Sequence, residues 1–174
     1  MRQANKDRLA HLPNPQIGSQ LKRLRCAAEE ARVWEEARHL RIAEFATLYE
    51  IRDLIARAKE RGLTISLDPS WVAALIYGRG LLRACEGVDL VLPNLEEANA
   101  ITGNAFVQAA SRQLSAAFPT AALRGSARGA RMISRGRGVP ADVESYRLNT
   151  AGAGDTFNAG FIHVWLSVSM TKFA

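Results

Sequence analysis

Two glycines and an aspartate late in the sequence have the spacing of an anion-binding turn that opens a helix. Gly152, Ala153 and Gly154 precede Asp155, and a helical apolar periodicity runs from about residue 153 to about residue 168. Glycines let backbone N–H groups converge without obstruction by Cβ atoms, at the positive end of the helix dipole. Such a turn suits a phosphoryl group, and the adjacent carboxylate could accept a proton from an attacking hydroxyl. Taken alone, the four residues could also be only a tight turn with a charge in the first turn of a helix.

A second polar pair, Asn94 and Glu97, comes directly after a compact apolar segment at residues 88–92. Amide and carboxylate oxygens at a strand end can hold a hydrated magnesium ion through its waters. Asn is also a favoured N-cap residue, and Glu three positions later completes a capping box. The two interpretations are compatible, and the pair by itself predicts a helix start.

Gly125 and Gly129 lie in a segment, residues 120–149, that glycine and proline divide into pieces too short for helices. This segment predicts a strand, a glycine turn and a meander of short strands, one of them at residues 130–134. By themselves the two glycines are sufficient to shape a hairpin.

Strand-like and helix-like segments alternate through the rest of the sequence. Strands are predicted at residues 40–45, 63–67 and 88–92, and helices at residues 49–61, 75–85, 95–102 and 106–118. This rhythm predicts an α/β fold with a mainly parallel sheet. Before it, Leu21, Leu24, Ala28, Ala31 and Trp34 recur at helical spacing after a possible N-cap at Ser19, which predicts an amphipathic helix that needs a partner surface.

The motifs together resemble those of ribokinase-like (PfkB) carbohydrate kinases. Residues 149–161 are similar to the family's second signature, residues 93–97 to its Asn-x-x-Glu motif, and residues 123–130 to its glycine loop. The resemblance implies a ribokinase-like α/β fold, with a partial, mainly parallel sheet flanked by helices as an incomplete Rossmann-like α/β/α sandwich. Residues 68–70 also resemble an Asp-Pro-Asn element, with Ser70 in place of asparagine, for which we expect a structural or peripheral role.

The resemblance implies an ATP-dependent kinase that transfers the γ-phosphate of ATP to a sugar hydroxyl. It makes Asp155 the catalytic base, and it assigns the anion hole to the backbone amides of Gly152, Ala153 and Gly154. It places Asn94 and Glu97 around Mg²⁺ through water, and it places Gly125, Gly129 and Asn94 beside the nucleotide.

The resemblance covers about residues 40–161, so we expect an N-terminal arm and helix at residues 1–39 and a partial kinase domain at residues 40–174. Members of the family are longer, and their N-terminal half supplies a sugar-binding signature and a lid. Asn149 also replaces an aspartate that helps to hold a monovalent cation in the family, which argues against potassium activation. The alternative is therefore a truncated, inactive remnant or a phosphate-binding partner subunit, completed by a second copy or by another chain.

Composition narrows the remaining classes of function. The formal net charge is +6 and the pI is about 9.9, but the basic residues are scattered and accompany no nucleic-acid-binding module, which disfavours nucleic acid as a partner. No apolar run approaches the roughly 18 residues of a membrane span, and no signal-peptide core is present, so we expect a cytoplasmic protein. The two cysteines, Cys26 and Cys85, and the three histidines, His11, His39 and His163, have no metal-site or disulfide spacing.

Overall fold

A computed structural model of the chain has an α/β architecture built on one six-stranded sheet. The structure describes residues 33–71, 73–77, 80–125, 129–134, 137–141 and 152–170. The strands are β1 (His39–Ile42), β2 (Thr64–Leu67), β3 (Leu90–Val91), β4 (Thr120–Arg124), β5 (Ala130–Ser134) and β6 (Arg137–Ala141). The helices are α1 (Val33–Glu36), α2 (Ala46–Glu50), α3 (Leu54–Glu60), α4 (Ala73–Ile76), α5 (Leu81–Ala84), α6 (Leu95–Thr102), α7 (Val107–Ala117) and α8 (Ala153–Met170).

The strands of the sheet lie side by side in the order in which they occur along the chain. Strands β1 to β4 pair in parallel, whereas β4, β5 and β6 pair antiparallel. A parallel connection has to return the chain to the same edge of the sheet, and helices fill each of these returns, whereas antiparallel neighbours need only short turns. The predicted α/β fold with a mainly parallel sheet is therefore confirmed.

The two faces of the sheet are covered by different helices. Side chains alternate between faces along a strand, and β3 and β4 accordingly contribute to two separate cores. The larger core contains Val91, Ala121, Leu123 and Ile133 of the sheet with Leu54 of α3, Ala98 of α6 and Leu114 of α7. The smaller core contains Leu90, Leu92 and Ala122 with Ile162 of α8. Helix α8 thus lies on the face opposite to α3, α6 and α7.

Polar residues follow the carboxyl ends of three neighbouring parallel strands. Asp68 comes directly after β2, Asn94 follows β3, and Arg124 is the last residue of β4. An isolated parallel bridge joins Asn94 to Arg124, and the Arg124 N–H donates to the Pro93 carbonyl at 3.0 Å. Because carboxyl ends of parallel strands share one edge of the sheet, the three residues are brought together there.

Elements with clear boundary residues were predicted closely. Helix α6 spans the predicted residues 95–102, because Asn94 caps its start and Gly103 ends it with φ of +66°. Strand β5 has the predicted bounds, and α7 lies one residue inside them at each end.

Three other predicted bounds were wrong. The single helix predicted at residues 49–61 is two helices, α2 and α3, because Ile51 leaves helical geometry at φ −122° and ψ 80°. The helix predicted at residues 75–85 is likewise divided into α4 and α5, with Gly80 as the N-cap residue of the second; glycine disfavours a continuous helix. The strand predicted at residues 40–45 ends at Ile42, since Phe45 is already in αR conformation at the start of α2.

The predicted amphipathic helix is described only in its last part. Helix α1 contains Trp34, which is half-buried against the larger core with the guanidinium groups of Arg57 and Arg61 over its ring at 5.5 and 5.4 Å. The predicted N-cap Ser19 and the apolar positions from Leu21 to Ala31 lie outside the described residues.

No helix in the described part of the chain is long and apolar enough to span a membrane. Cys85 is a free, buried thiol, and burial raises its pKa to about 12, so it stays protonated at neutral pH. Cys26 lies outside the described residues.

Candidate functional site

The glycine turn at residues 152–154 opens α8 with its first amide groups unused by the helix. Gly152 has φ of +77°, a left-handed conformation that favours glycine. The Gly152 carbonyl accepts the first helical hydrogen bond from the Thr156 N–H at 2.9 Å, and a second from the Thr156 hydroxyl at 3.0 Å. The N–H groups of Ala153, Gly154 and Asp155 precede that bond and have no acceptor within the helix. They can therefore donate to an anion, favoured by the helix dipole.

Asp155 presents its carboxylate at the surface beside this turn. Its side chain is 78% exposed and accepts a hydrogen bond from the Arg41 guanidinium, with an Nη2–Oδ1 distance of 3.2 Å. Arg41 belongs to β1, so the pair joins the edge strand of the sheet to the start of α8. A carboxylate in this position can accept a proton from the hydroxyl of a bound molecule.

A largely buried ionic cluster lies at the carboxyl ends of β2 to β4. The Arg124 Nη2 atom is 3.4 Å from Asp68 Oδ1 and 3.5 Å from Glu97 Oε2. The side chains of these three residues are between 6% and 15% exposed. Buried carboxylates require such a partner, because an unpaired charge is costly away from water.

Asn158 connects helix α8 to this cluster. Its side-chain amide donates to Asp68 Oδ2, and the residue is fully buried. Within the described residues, Asn158 Oδ1 and Arg124 Nε are buried without a hydrogen-bond partner. The first turns of α8 are thus held against the ends of the parallel strands by polar contacts as well as by Ile162.

Asn94 and Glu97 form a complete capping box at the start of α6. The Glu97 N–H donates to Asn94 Oδ1 and the Asn94 N–H donates to Glu97 Oε2, both at 2.8 Å. Glu97 is buried, and this desolvation raises the pKa of its carboxyl group, although the hydrogen bond from Asn94 opposes the shift. The capping role that the sequence left open is therefore present.

The geometry of Asn94 and Glu97 shows how these residues could bind a magnesium ion. In the described residues no three His, Cys, Asp or Glu side chains meet to form a metal cage. The Glu97 carboxylate already receives the Asn94 N–H and lies beside Arg124, so it has little room for direct coordination. Asn94 and Glu97 would therefore reach a Mg²⁺ ion only through its waters.

Arg124 connects the glycine turn of α8 to Glu97 of the capping box. A Cβ atom placed on Gly154 would lie 2.7 Å from Arg124 Nη1, so the guanidinium packs directly on the glycine turn. The other end of the same guanidinium contacts Glu97. A side chain at residue 154 would displace the Nη1 end of the guanidinium.

Gly125 follows Arg124 at the same edge of the sheet, and Gly129 directly precedes β5. The Gly125 N–H donates to the Gly129 carbonyl at 2.7 Å, and Gly129 has φ of +80°. These contacts close a turn between β4 and β5, so the hairpin-shaping role is present. The residues between the two glycines lie outside the described part of the chain.

Arg41, Arg124 and Asn158 were not predicted as site residues from the sequence, and Asp68 was expected to have only a structural or peripheral role. A signal was present for two of them: Arg124 is a charged residue at the end of an apolar strand, and Asn158 is a polar residue on the apolar side of a helix, one turn after Asp155. Arg41 has no comparable signal, because it is one of many scattered arginines. Nothing in the local sequence indicates that Asp68 and Asn158, 90 positions apart, form a hydrogen bond.

Comparison with known proteins decides the family. Residues 24–171 match the family described as pfkB family carbohydrate kinase, which is most of the chain. The chain belongs to the pfkB family of carbohydrate kinases. The match begins at residue 24, within the segment 1–39 for which the sequence analysis found no resemblance. No curated protein shows significant similarity to the sequence.

Solved structures of similar fold confirm the ribokinase-like architecture. A PfkB protein from Polaromonas sp. JS666 matches with a TM-score of 0.65 and 22% identity, over 78% of this chain and 49% of that one. The adenosine kinase of Sinorhizobium meliloti matches with a TM-score of 0.68 and 23% identity, over 78% and 45% of the two chains. A putative ribokinase II of E. coli, solved in complex with ATP and Mg²⁺, matches with a TM-score of 0.63 and 17% identity, over 75% and 46%. This pfkB-family chain thus spans somewhat less than half the length of these structures.

Proposed function

We propose that this chain carries the phosphate-handling part of an ATP-dependent carbohydrate kinase, which transfers the γ-phosphate of ATP to a sugar hydroxyl. Family membership gives the general chemistry. The observation that carries the proposal is that Arg124 contacts both the glycine turn of α8 and the Glu97 carboxylate. An anion site and a candidate magnesium site are therefore neighbours at one edge of the sheet.

Each residue has a role that follows from its position. Asp155, exposed beside the turn, would accept the proton of the attacking sugar hydroxyl. The amides of Gly152, Ala153 and Gly154 are assigned the anion hole, and they would stabilise negative charge on the phosphoryl oxygens. Bound MgATP supplies the phosphoryl group and the charge of the metal.

Arg41 and Arg124 would contribute in different ways. Arg41 pairs with Asp155 Oδ1, so a sugar hydroxyl would have to displace this contact or bind the second carboxylate oxygen. Arg124 is held by Asp68 and Glu97, so its guanidinium stays beside Gly154 while an anion binds. Because the Arg124 guanidinium is already in place, it would stabilise the negative charge that develops in the transition state without a free-energy cost of reorganisation.

Asn94 and Glu97 would hold Mg²⁺ through its waters, with Asn94, Gly125 and Gly129 beside the nucleotide. The proposal is supported by the position of all four residues at the carboxyl edge of the sheet, next to Arg124. The E. coli ribokinase II of similar fold was solved with ATP and Mg²⁺. No feature of the described residues selects one sugar over another.

A second candidate function is a catalytically inactive partner that binds phosphate groups. The matched region corresponds to 45% to 49% of the length of the compared structures. Transfer requires the acceptor hydroxyl to be held in line with the γ-phosphate. A second copy of the chain or another chain would then have to supply the sugar pocket.

An assay of the purified chain distinguishes the two candidates. ADP release from ATP is followed with magnesium against ribose, fructose, 2-keto-3-deoxygluconate and nucleosides, and nucleotide binding is measured by calorimetry. Turnover that disappears in Asp155→Asn establishes the kinase. Nucleotide binding without turnover establishes the binding partner. If the chain shows no nucleotide binding and no turnover, both candidate functions are contradicted.

A further inference from the structure

The net positive charge of this protein arises in a stretch of the chain that contains no acidic residue. Residues 98–141 contain six arginines and no lysine, aspartate or glutamate. The whole chain has 23 basic and 17 acidic residues, so the remaining 17 basic residues are balanced by the 17 acidic ones. This stretch forms α7 and the antiparallel strands β4 to β6.

A cavity of about 160 Å³ lies in this stretch, between α7 and the β5–β6 hairpin. Its lining includes Gln108, Ser111, Arg112 and Ser115 of α7, together with Arg131 and Gly138 of the hairpin. Cofactor and drug-sized ligands occupy about 300–1,000 Å³, so this volume suits a single small group. Two guanidinium groups with neutral hydrogen-bonding neighbours favour an anion with several oxygens.

In the described ranges no carboxylate forms an ion pair with Arg112 or Arg131, the two arginines of the cavity. Residues 98–141, which include α7, β5 and β6, contain no acidic residue. This differs from Arg124, which is held between Asp68 and Glu97. Arg112 and Arg131 are therefore available to an external anion.

Ser111 and Gly138 add two independent details. The Ser111 hydroxyl oxygen is buried and has no hydrogen-bond partner in the part of the chain described, which is a costly state for a polar atom. A Cβ atom on Gly138 would lie 3.3 Å from Arg131 Nη1 and 3.7 Å from its Cδ, so the arginine lies across the bare backbone of the neighbouring strand. The glycine thus allows Arg131 to reach along the hairpin at the cavity.

This cavity and the glycine turn of α8 are on opposite faces of the sheet. Helix α7 packs through Leu114 in the larger core, whereas α8 packs through Ile162 in the smaller one. A ligand in the cavity would therefore not occupy the site proposed for the transferred phosphate.

We propose that the cavity between α7 and the β5–β6 hairpin is a second anion site, which takes a phosphate group, either free or as a small phosphate monoester. Arg112 and Arg131 supply charge-assisted hydrogen bonds, and the Ser111 hydroxyl gains its missing partner. The site is independent of the proposed kinase chemistry and can bind whether or not the chain is catalytic.

The test is a titration of the full chain with inorganic phosphate and, separately, with glycerol 3-phosphate. Binding is followed by calorimetry and by the ¹H–¹⁵N resonances of Ser111 and Arg112. We expect these amides to shift, and Arg131→Gln to weaken the affinity about tenfold, as the loss of one charge-assisted hydrogen bond implies. Tighter binding of one probe identifies the source of the phosphate group.

Matched variants separate this site from other effects. Arg83→Gln removes an exposed arginine on α5, away from the cavity, and should bind phosphate as the unaltered chain does. Arg112→Gln removes the other guanidinium of the cavity at an exposed helical position. It replaces Arg131→Gln in the titration if that variant does not fold. Gly154→Val should leave the α7 shifts intact.

Unchanged affinity in both Arg112→Gln and Arg131→Gln, or α7 shifts that vanish in Gly154→Val, would overturn the proposal. So would an oligonucleotide that binds more tightly than phosphate with an affinity rising with its length.

Discussion

Arg124 contacts three residues that are distant from it in the sequence. Its guanidinium lies between the Asp68 and Glu97 carboxylates and packs on Gly154. Two buried carboxylates would repel each other and lack solvation without this cation. The residue therefore stabilises the fold and shapes the candidate site at the same time.

Replacing Arg124 with methionine should destabilise the protein strongly. The change leaves both carboxylates in place without their cation, and breaking a buried ion pair in this way costs about 3–5 kcal/mol. Urea unfolding at pH 7 measures the loss. Arg83→Met, at an exposed position, is the control and should change the free energy of unfolding by less than about 0.5 kcal/mol. A similarly small loss for Arg124→Met would show that the cluster contributes little.

Gly154→Ala and Gly160→Ala should have opposite effects in the same helix. The added Cβ at position 154 collides with Arg124 Nη1, whereas at position 160 nothing lies within 4 Å. We expect the first variant to lose about 1–3 kcal/mol of stability and most of its sulfate binding at the glycine turn. The second should gain about 0.5–1 kcal/mol, the difference in helix propensity between alanine and glycine. Thermal melting and sulfate titration measure both, and equal sulfate affinity in the two variants would contradict the anion site.

At the scale of elements, His39 links the edge strand to the rest of the molecule. Its Nδ1 and Nε2 atoms are hydrogen-bonded to the Thr64 and Ser66 hydroxyls of β2 at 2.8 and 2.9 Å, and its ring packs edge-on against Trp165 of α8 at 6.1 Å. Burial lowers the pKa of His39 from its ordinary value of 6.5, and the charge of Asp89 only partly opposes this.

The free energy of unfolding should therefore fall as the pH drops below about 6.5. The unfolded chain takes up a proton at the ordinary histidine pKa, and the folded chain does so only at lower pH, so acid favours unfolding between the two values. Urea titrations at pH 8 and at pH 5.8 measure the difference. His39→Gln should flatten it, and His163→Gln, on the exposed side of α8, should not. The same slope in wild type and His39→Gln would assign the effect to other groups.

Helix α1 should contribute to stability through Trp34. The ring lies under the guanidinium groups of Arg57 and Arg61 on α3 and packs against the larger core. Deletion of residues 1–38 should lower the melting temperature, and Trp34→Ala alone should cost about 2 kcal/mol because the indole is only partly buried. An unchanged melting curve for the deletion would show that this segment is uncoupled from the sheet.

The elements show which features a sequence can predict. Helix α6 was predicted with its bounds because both of its ends are marked by local residues, Asn94 and Gly103. The break at Ile51 was not predicted, because the apolar periodicity continues across it. The candidate site was predicted where it consists of adjacent residues, as at the glycine turn. Arg124 and Asp68 are 56 positions apart, and only the fold brings them together.

On the scale of the whole molecule, the proposed phosphate site belongs to a chain that spans less than half the length of the solved structures of similar fold. We expect the purified chain to transfer little or no phosphate to any sugar of the panel, because Asp155 and the glycine turn stabilise charge without holding an acceptor in line. The ADP-release assay with Asp155→Asn as control measures this. Turnover on the order of 1 per second or more that is lost in the control would show that the chain forms its own sugar pocket.

The strand order of the sheet has a consequence for how this chain folds. Because each strand pairs only with its neighbours in the sequence, no strand has to insert between two that are already joined. Short-range pairing closes small loops at low entropic cost, so the β4–β6 meander can form first and the parallel strands can add one at a time towards β1. The described sheet can therefore reach an ordered state by local steps that start from its antiparallel half.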